Sequence, residues 1–209
     1  MTRLFIAILI SVCCFSAAHA QIVDVEQSEK FNTDSVLRDF DDRPFFGIYK
    51  DNYFVGGTSI GTKPTSHNSD VKFQVSISQR LTRSVLPFNT YAFLFYSQKC
   101  MWNVFEKSLP MRDFNFNPGL GFTKLLISKN RLVGKLTLMI EHESNGRDKM
   151  YDRSWNKLSF AGNIYLTPNL MIHGKYWLTY IDSKQNKDIL RYNGIYQTGI
   201  QVLSPNQRW

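Results

Sequence analysis

From residue 52 onward the chain is written in segments of about ten residues, rich in β-branched and aromatic types and parted by polar turns. They are "NYFVGGTSI" (52–60), "VKFQVSISQ" (71–79), "TYAFLFYSQK" (90–99), "GLGFTKLLIS" (119–128), "LVGKLTLMIEHES" (132–144), "WNKLSFAGNIYLT" (155–167), "LMIHGKYWLTYI" (170–181) and "YNGIYQTGIQVL" (192–203). Branched and aromatic side chains fit a pleated surface, and turns at this spacing leave little room for long helices. The pattern predicts an all-β, antiparallel protein with about eight strands.

In "VKFQVSISQ" Val71, Phe73, Val75 and Ile77 alternate with Lys72, Gln74, Ser76 and Ser78. A soluble sandwich shows the same alternation with its apolar side inward. Strands of about ten residues, however, match a tilted crossing of a bilayer. Tyr91, Trp155 and Tyr180 near segment ends suit interfacial girdles. The expected fold is therefore a transmembrane β-barrel of the outer-membrane type.

The start of the chain makes that membrane reachable. "MTRLFIAILISVCCFSAAHA" (1–20) has a basic start at Arg3, an apolar run and small residues at Ala18 and Ala20, the pattern of a cleaved secretory signal peptide. Cys13 and Cys14 leave with it, so the mature chain keeps only Cys100 and has no internal disulfide framework. Residues 21–43 are polar and read as an N-terminal periplasmic extension, with the barrel occupying 44–209. The net charge of +8 is scattered, without a basic helix or nucleic-acid module, and suits anionic headgroups better than nucleic acid.

The chemistry gathers at "IEHESNGRDKMYDRSWNKL" (140–158). Equal parity on a strand means a shared face. Leu136, Leu138 and Ile140 are thus continued by His142 and Ser144, and Asn156 begins the face carrying Leu158 and Phe160. In a hairpin that sets Ser144 opposite Ser154, His142 faces Asn156 at about 5 Å between Cβ atoms. A serine needs an imidazole to take its proton, and the imidazole needs a third group to fix its tautomer. On the residues alone, polar groups at a strand end can equally mark the membrane surface; read as a site, Ser144 is the nucleophile, His142 the general base and Asn156 its orienter, roles that the longer motif around them implies. Their place on an apolar face points to a lipid substrate.

The phrase "HESNGRDKMYDRSWNKL" closely resembles the active-site hairpin of the outer membrane phospholipase A family, with agreement extending to "DVKFQVSIS" (70–78), "YSQK" (96–99) and "SLPMRDFNFNPGLGF" (108–122). That resemblance implies a calcium-dependent, dimeric twelve-stranded barrel hydrolysing phospholipid acyl esters (A1, A2 and lysophospholipase cleavage) in the outer membrane of a Gram-negative bacterium. It implies calcium ligands at Arg147 (backbone carbonyl), Asp152, where the family pattern has serine, and Ser108 from the partner subunit. In the family the ion polarises a water that stabilises the oxyanion together with the serine backbone N–H. Gln98 matches a glutamine at the family's dimer interface, although "TYAFLFYSQK" is apolar on both parities and leaves its direction open between interface and lumen. His173 shares parity with Lys175 and Thr179 and is expected inside; His67 receives no role.

Eight segments fall short of twelve strands, and "VLSPNQRW" (202–209) does not read as a closing strand. The expectation is a barrel incomplete at its C-terminus. The alternatives to a phospholipase are a catalytically silent or passive barrel and a soluble exported sandwich.

Overall fold

The computed structural model describes residues 33–180, 186–202 and 204. The signal segment and most of the polar extension lie outside them. Helix α1 (Thr33–Asp41) is followed by β1 (Phe46–Gly47), β2 (Tyr53–Thr58), β3 (Ser69–Arg80), β4 (Thr90–Trp102), β5 (Met111–Ser128), β6 (Arg131–Ser144), β7 (Ser154–Thr167) and β8 (Leu170–Tyr180). A short helix, α2 (Ile189–Asn193), precedes β9 (Tyr196–Val202). The nine strands form one antiparallel sheet. Strands β3 to β9 follow chain order, and β1 and β2 both pair with β3. Among the described residues, β9 on one side and β1 and β2 on the other have no further strand partner.

The sheet differs from the sequence expectation at three places, the first being a short unexpected strand, β1 (Phe46–Gly47), beside β3. β5 starts at Met111 rather than 119, so the polar phrase "RDFNFNP" is strand. Tyr192 and Asn193, expected in the last strand, belong to α2.

The two faces of the sheet are chemically opposite. One row of directly paired residues runs Leu94, Leu120, Ile140, Leu158, Leu178 across five strands. The next continues Phe122, Leu138, Phe160, Tyr176, Tyr196. More than a dozen large apolar side chains on this face are at least 40 % exposed. Burying such a side chain is worth about 1.5–3 kcal/mol. Even half of that, summed over the face, rivals the roughly 5–15 kcal/mol net stability of an ordinary domain. A face of this kind is built for hydrocarbon, which excludes the soluble sandwich.

The inner face carries the charges instead. Glu141, 1 % exposed, is 2.6 Å from Lys175 Nζ and accepts from Ser159 Oγ at 2.5 Å. Glu143 is 2.5 Å from Lys157 Nζ and accepts from Asn115 at 2.8 Å. Each of these two carboxylates thus has an opposite charge and a neutral donor, which a buried ion requires. His173 lies in this interior, where Gly199 leaves room for its ring: a Cβ there would sit 2.5 Å from Nε2.

The ends of the interior are filled. At the end where β4 begins, α1 buries Leu37 and Phe40 against Tyr91 and Leu125 of the inner face. Arg80, 3 % exposed, points its guanidinium at the C-terminal carbonyls of α1, donating to Phe40 O, to Asp41 O at 2.8 Å and to Arg43 O at 2.8 Å. A cation at a helix C-terminus meets both the unsatisfied carbonyls and the negative end of the helix dipole. At the other end, Ile189 of α2 packs on Trp155 and Trp177.

Candidate active site

β6 ends at Ser144 and β7 begins at Ser154, and the two strands pair with Ser144 opposite Ser154 and His142 opposite Asn156. His142 Nδ1 lies 2.9 Å from Asn156 Oδ1. A carbonyl oxygen only accepts, so Nδ1 holds the proton and the Nε2 lone pair is left for another donor. Ser144 stands one strand repeat beyond His142 on the same apolar face, and Phe116 is its paired neighbour from β5. Among the described residues, Ser144 Oγ makes no hydrogen bond to His142. A catalytic hydrogen bond commonly tightens only when substrate is bound.

The loop from 145 to 153 is held by one side chain that sequence reasoning assigned no role. Asn145, 9 % exposed, donates from Nδ2 to Tyr151 O at 2.8 Å. Its Oδ1 accepts from the amides of Arg147 at 3.2 Å and Arg153 at 3.0 Å. Its own amide donates to Arg153 O at 2.9 Å. The available signal was the position itself: an asparagine immediately after a strand can bond the backbone of the turn it opens. Gly146 follows with φ +66, and a Cβ there would lie 3.2 Å from the Phe116 ring, so both backbone and space call for glycine.

Arg147 and Asp152 therefore sit in one clasped loop. The Arg147 guanidinium donates to Arg112 O, which ties this loop to the start of β5. Among the described residues no cation or donor pairs with the Asp152 carboxylate. Ser108 lies in the turn between β4 and β5, at the same end of the sheet. A carbonyl and a free carboxylate are the hard oxygen donors that calcium takes, but two ligands are far short of its usual six to eight. Among the described residues, no group of three or more acidic, histidine or cysteine side chains comes together here to hold an ion by itself.

Gln98 lies on the outer face: it pairs with Val75 and Phe116, and Phe116 with Ser144. Tyr96 Oη donates to its Oε1 at 2.9 Å. The lumenal direction left open by the sequence is thereby excluded.

Two cavities accompany the site without including His142, Ser144 or Asn156. One of about 620 Å³ lies beside the turn between β2 and β3, against Phe105. The other, about 390 Å³, is polar and lies behind the clasped loop, among Asp113, Glu143, Arg153 and Asp188. His142, Ser144 and Asn156 lie on the outer face and are each partly exposed.

The model of the family described as Phospholipase A1 matches residues 45–208. The chain belongs to the phospholipase A1 family. Phospholipase A1 of Proteus vulgaris is 32% identical over 151 residues, 68% of this chain and 50% of that protein. Outer membrane phospholipase A from Escherichia coli aligns with TM-score 0.63 at 25% identity, covering 74% of this chain and 70% of that one. The outer membrane phospholipase dimer with bound calcium from Salmonella typhi aligns with TM-score 0.65 at 24% identity, covering 80% and 70%. The chain spans about half the length of the curated phospholipase A1 relatives it matches. The antiparallel sheet aligns with part of the outer-membrane phospholipase barrel.

Proposed function

We propose that this chain hydrolyses phospholipid acyl esters at the outer membrane through Ser144, His142 and Asn156, with phospholipase A1, A2 and lysophospholipase cleavage. The observation that carries the reading is the 2.9 Å contact between His142 and Asn156 on a face otherwise made for hydrocarbon. A lipid diffusing in the membrane meets the trio without leaving the bilayer.

In the first half-reaction Ser144 Oγ attacks the ester carbonyl carbon while His142 Nε2 takes the hydroxyl proton. The developing imidazolium keeps its Nδ1–H on Asn156 Oδ1. A neutral amide stabilises that cation less than a carboxylate, but it avoids placing a lone carboxylate against hydrocarbon. His142 then gives its proton to the departing alcohol as the acyl–oxygen bond breaks. Water repeats the sequence on the acyl-serine, releasing the fatty acid and restoring Ser144.

Arg147, through its carbonyl, and Asp152 would hold calcium, with Ser108 of a second copy adding a third protein oxygen and water filling the remaining positions. Calcium bound there supplies Lewis-acid stabilisation of the negative charge on the carbonyl oxygen. This makes the active form a homodimer joined along the outer face, with Gln98 in the contact. The Salmonella typhi protein is itself a dimer with bound calcium. Export by the signal segment 1–20 delivers the chain to that membrane. A passive pore is disfavoured because α1, α2 and paired charges occupy the interior.

The test is phospholipid hydrolysis by the purified, detergent-refolded chain with calcium, with chelator, and as Ser144→Ala. The expected result is a calcium-dependent rate that Ser144→Ala lowers by about 10³-fold or more. An equal rate from Ser144→Ala rejects the assignment.

A further inference from the structure

Behind His142 the β5–β6 ladder has a gap with a specific filling. Pairing runs from Ser128↔Arg131 to Gly119↔Glu141 and resumes at Phe116↔Ser144. Continuing that register sets Pro118 opposite His142. Proline has no N–H to give a facing strand. The His142 carbonyl accepts instead from a side chain, Asn117 Nδ2, at 2.9 Å. Asn117 is 4 % exposed and stands on the inner face.

Asn117 is itself held from within. Its Oδ1 accepts from Lys50 Nζ at 3.3 Å. Lys50 belongs to the connector between β1 and β2, which is fastened to β3: the Lys50 amide donates to Ser76 Oγ at 3.1 Å, and Gln74 Nε2 donates to Asp51 O at 2.6 Å. Asn52 Oδ1 accepts from the Ser76 amide at 2.5 Å, and Ser76 Oγ shares a 2.7 Å hydrogen bond with Ser97. A chain of contacts thus runs from β3 and β4 through the interior to the backbone of a residue whose ring works outside.

We propose that Asn117, gripped by Lys50, is a positioning residue for His142, setting its backbone where β5 cannot supply an amide. It touches neither substrate nor reacting atoms. The proposal rests on the reading of His142 as general base. A displacement of about 1 Å in a catalytic group can cost on the order of a hundredfold in rate.

Asn117→Asp separates positioning from folding. The carboxylate keeps an acceptor for Lys50, so the inner brace survives, but the donor to the His142 carbonyl is gone. In the refolded full chain the expected result is an unchanged urea midpoint, a kcat lowered about ten- to hundredfold and an unchanged KM. Lys50→Met, which keeps the donor and loses the grip, is expected to lower kcat by less, in the same direction. The Nδ1 proton resonance of His142, assigned by its loss in His142→Gln, shifts in Asn117→Asp. Wild-type kcat in Asn117→Asp overturns the proposal, with or without a shifted resonance. A wild-type chain without esterase activity, or an active Ser144→Ala, rejects the assigned reaction instead. The ring resonance then decides positioning alone: a shift upholds it and its absence overturns it.

Discussion

Glu141 and His142 are neighbours in the chain and work on opposite sides of β6. The Glu141 carboxylate lies 2.6 Å from Lys175 Nζ inside, while the His142 imidazole lies 2.9 Å from Asn156 outside. One peptide bond separates a buried ion pair from an imidazole on the apolar face. Strand alternation alone achieves this, so a single-residue slip of register would move the carboxylate to the apolar face and the imidazole to the charged one.

The outer contact governs rate rather than stability. Asn156→Ala leaves the His142 ring without its acceptor and is expected to lower kcat by about ten- to a hundredfold, against the 10³-fold or greater loss for His142→Ala. Initial rates on a short-chain phospholipid check the ordering.

The inner contact governs stability. Lys175→Met leaves Glu141 buried without its cation and is expected to cost about 3–5 kcal/mol. Combining it with Glu141→Gln should recover much of that loss, because the unpaired charge goes too. Urea unfolding of the two variants decides between them.

Asn145 is expected to matter for calcium more than for folding. Asn145→Ala removes the side chain that fixes the backbone on both sides of Arg147 and Asp152. The calcium concentration for half-maximal hydrolysis should rise by about tenfold, within the range seen when groups supporting metal ligands are removed. A calcium titration of activity at fixed substrate measures it.

Lys50 gives the fold a pH dependence of definite sign. Burial, reinforced by Lys175, Lys157 and Lys99 and partly opposed by Glu141, brings its ammonium down from 10.5 to about 8. Between those values the unfolded chain holds a proton that the folded chain has released. Stability therefore rises with pH through that window, by on the order of 3 kcal/mol. Urea midpoints taken across it should climb in the wild type and stay flatter in Lys50→Met.

The facing of His142 and Asn156 was legible because parity put both on the apolar face of β6 and β7 and the hairpin has the expected register, with Ser144 opposite Ser154. Gln98 was not legible for a physical reason. Tyr91, Phe93 and Phe95 face inward yet are apolar, because α1 and Tyr49 fill the interior beside them. A strand with apolar neighbours on both sides has no alternation to read. The first half of β5 was hidden by Pro118 and its polar neighbours, since the bond proline forgoes is made by Asn117 from outside the ladder. The register of α1 could not be read from a polar stretch whose helical face is only Leu37 and Phe40.

The grip of Arg80 on the end of α1 orders events in assembly. A nine-residue helix is too short to persist alone in water, and its acceptor end is satisfied by a residue at the far end of β3. The helix therefore gains its shape only once the sheet has begun to curl, although it precedes every strand in the sequence. It precedes the strands that shape it, and its helicity reports when β3, β4 and β5 have come together.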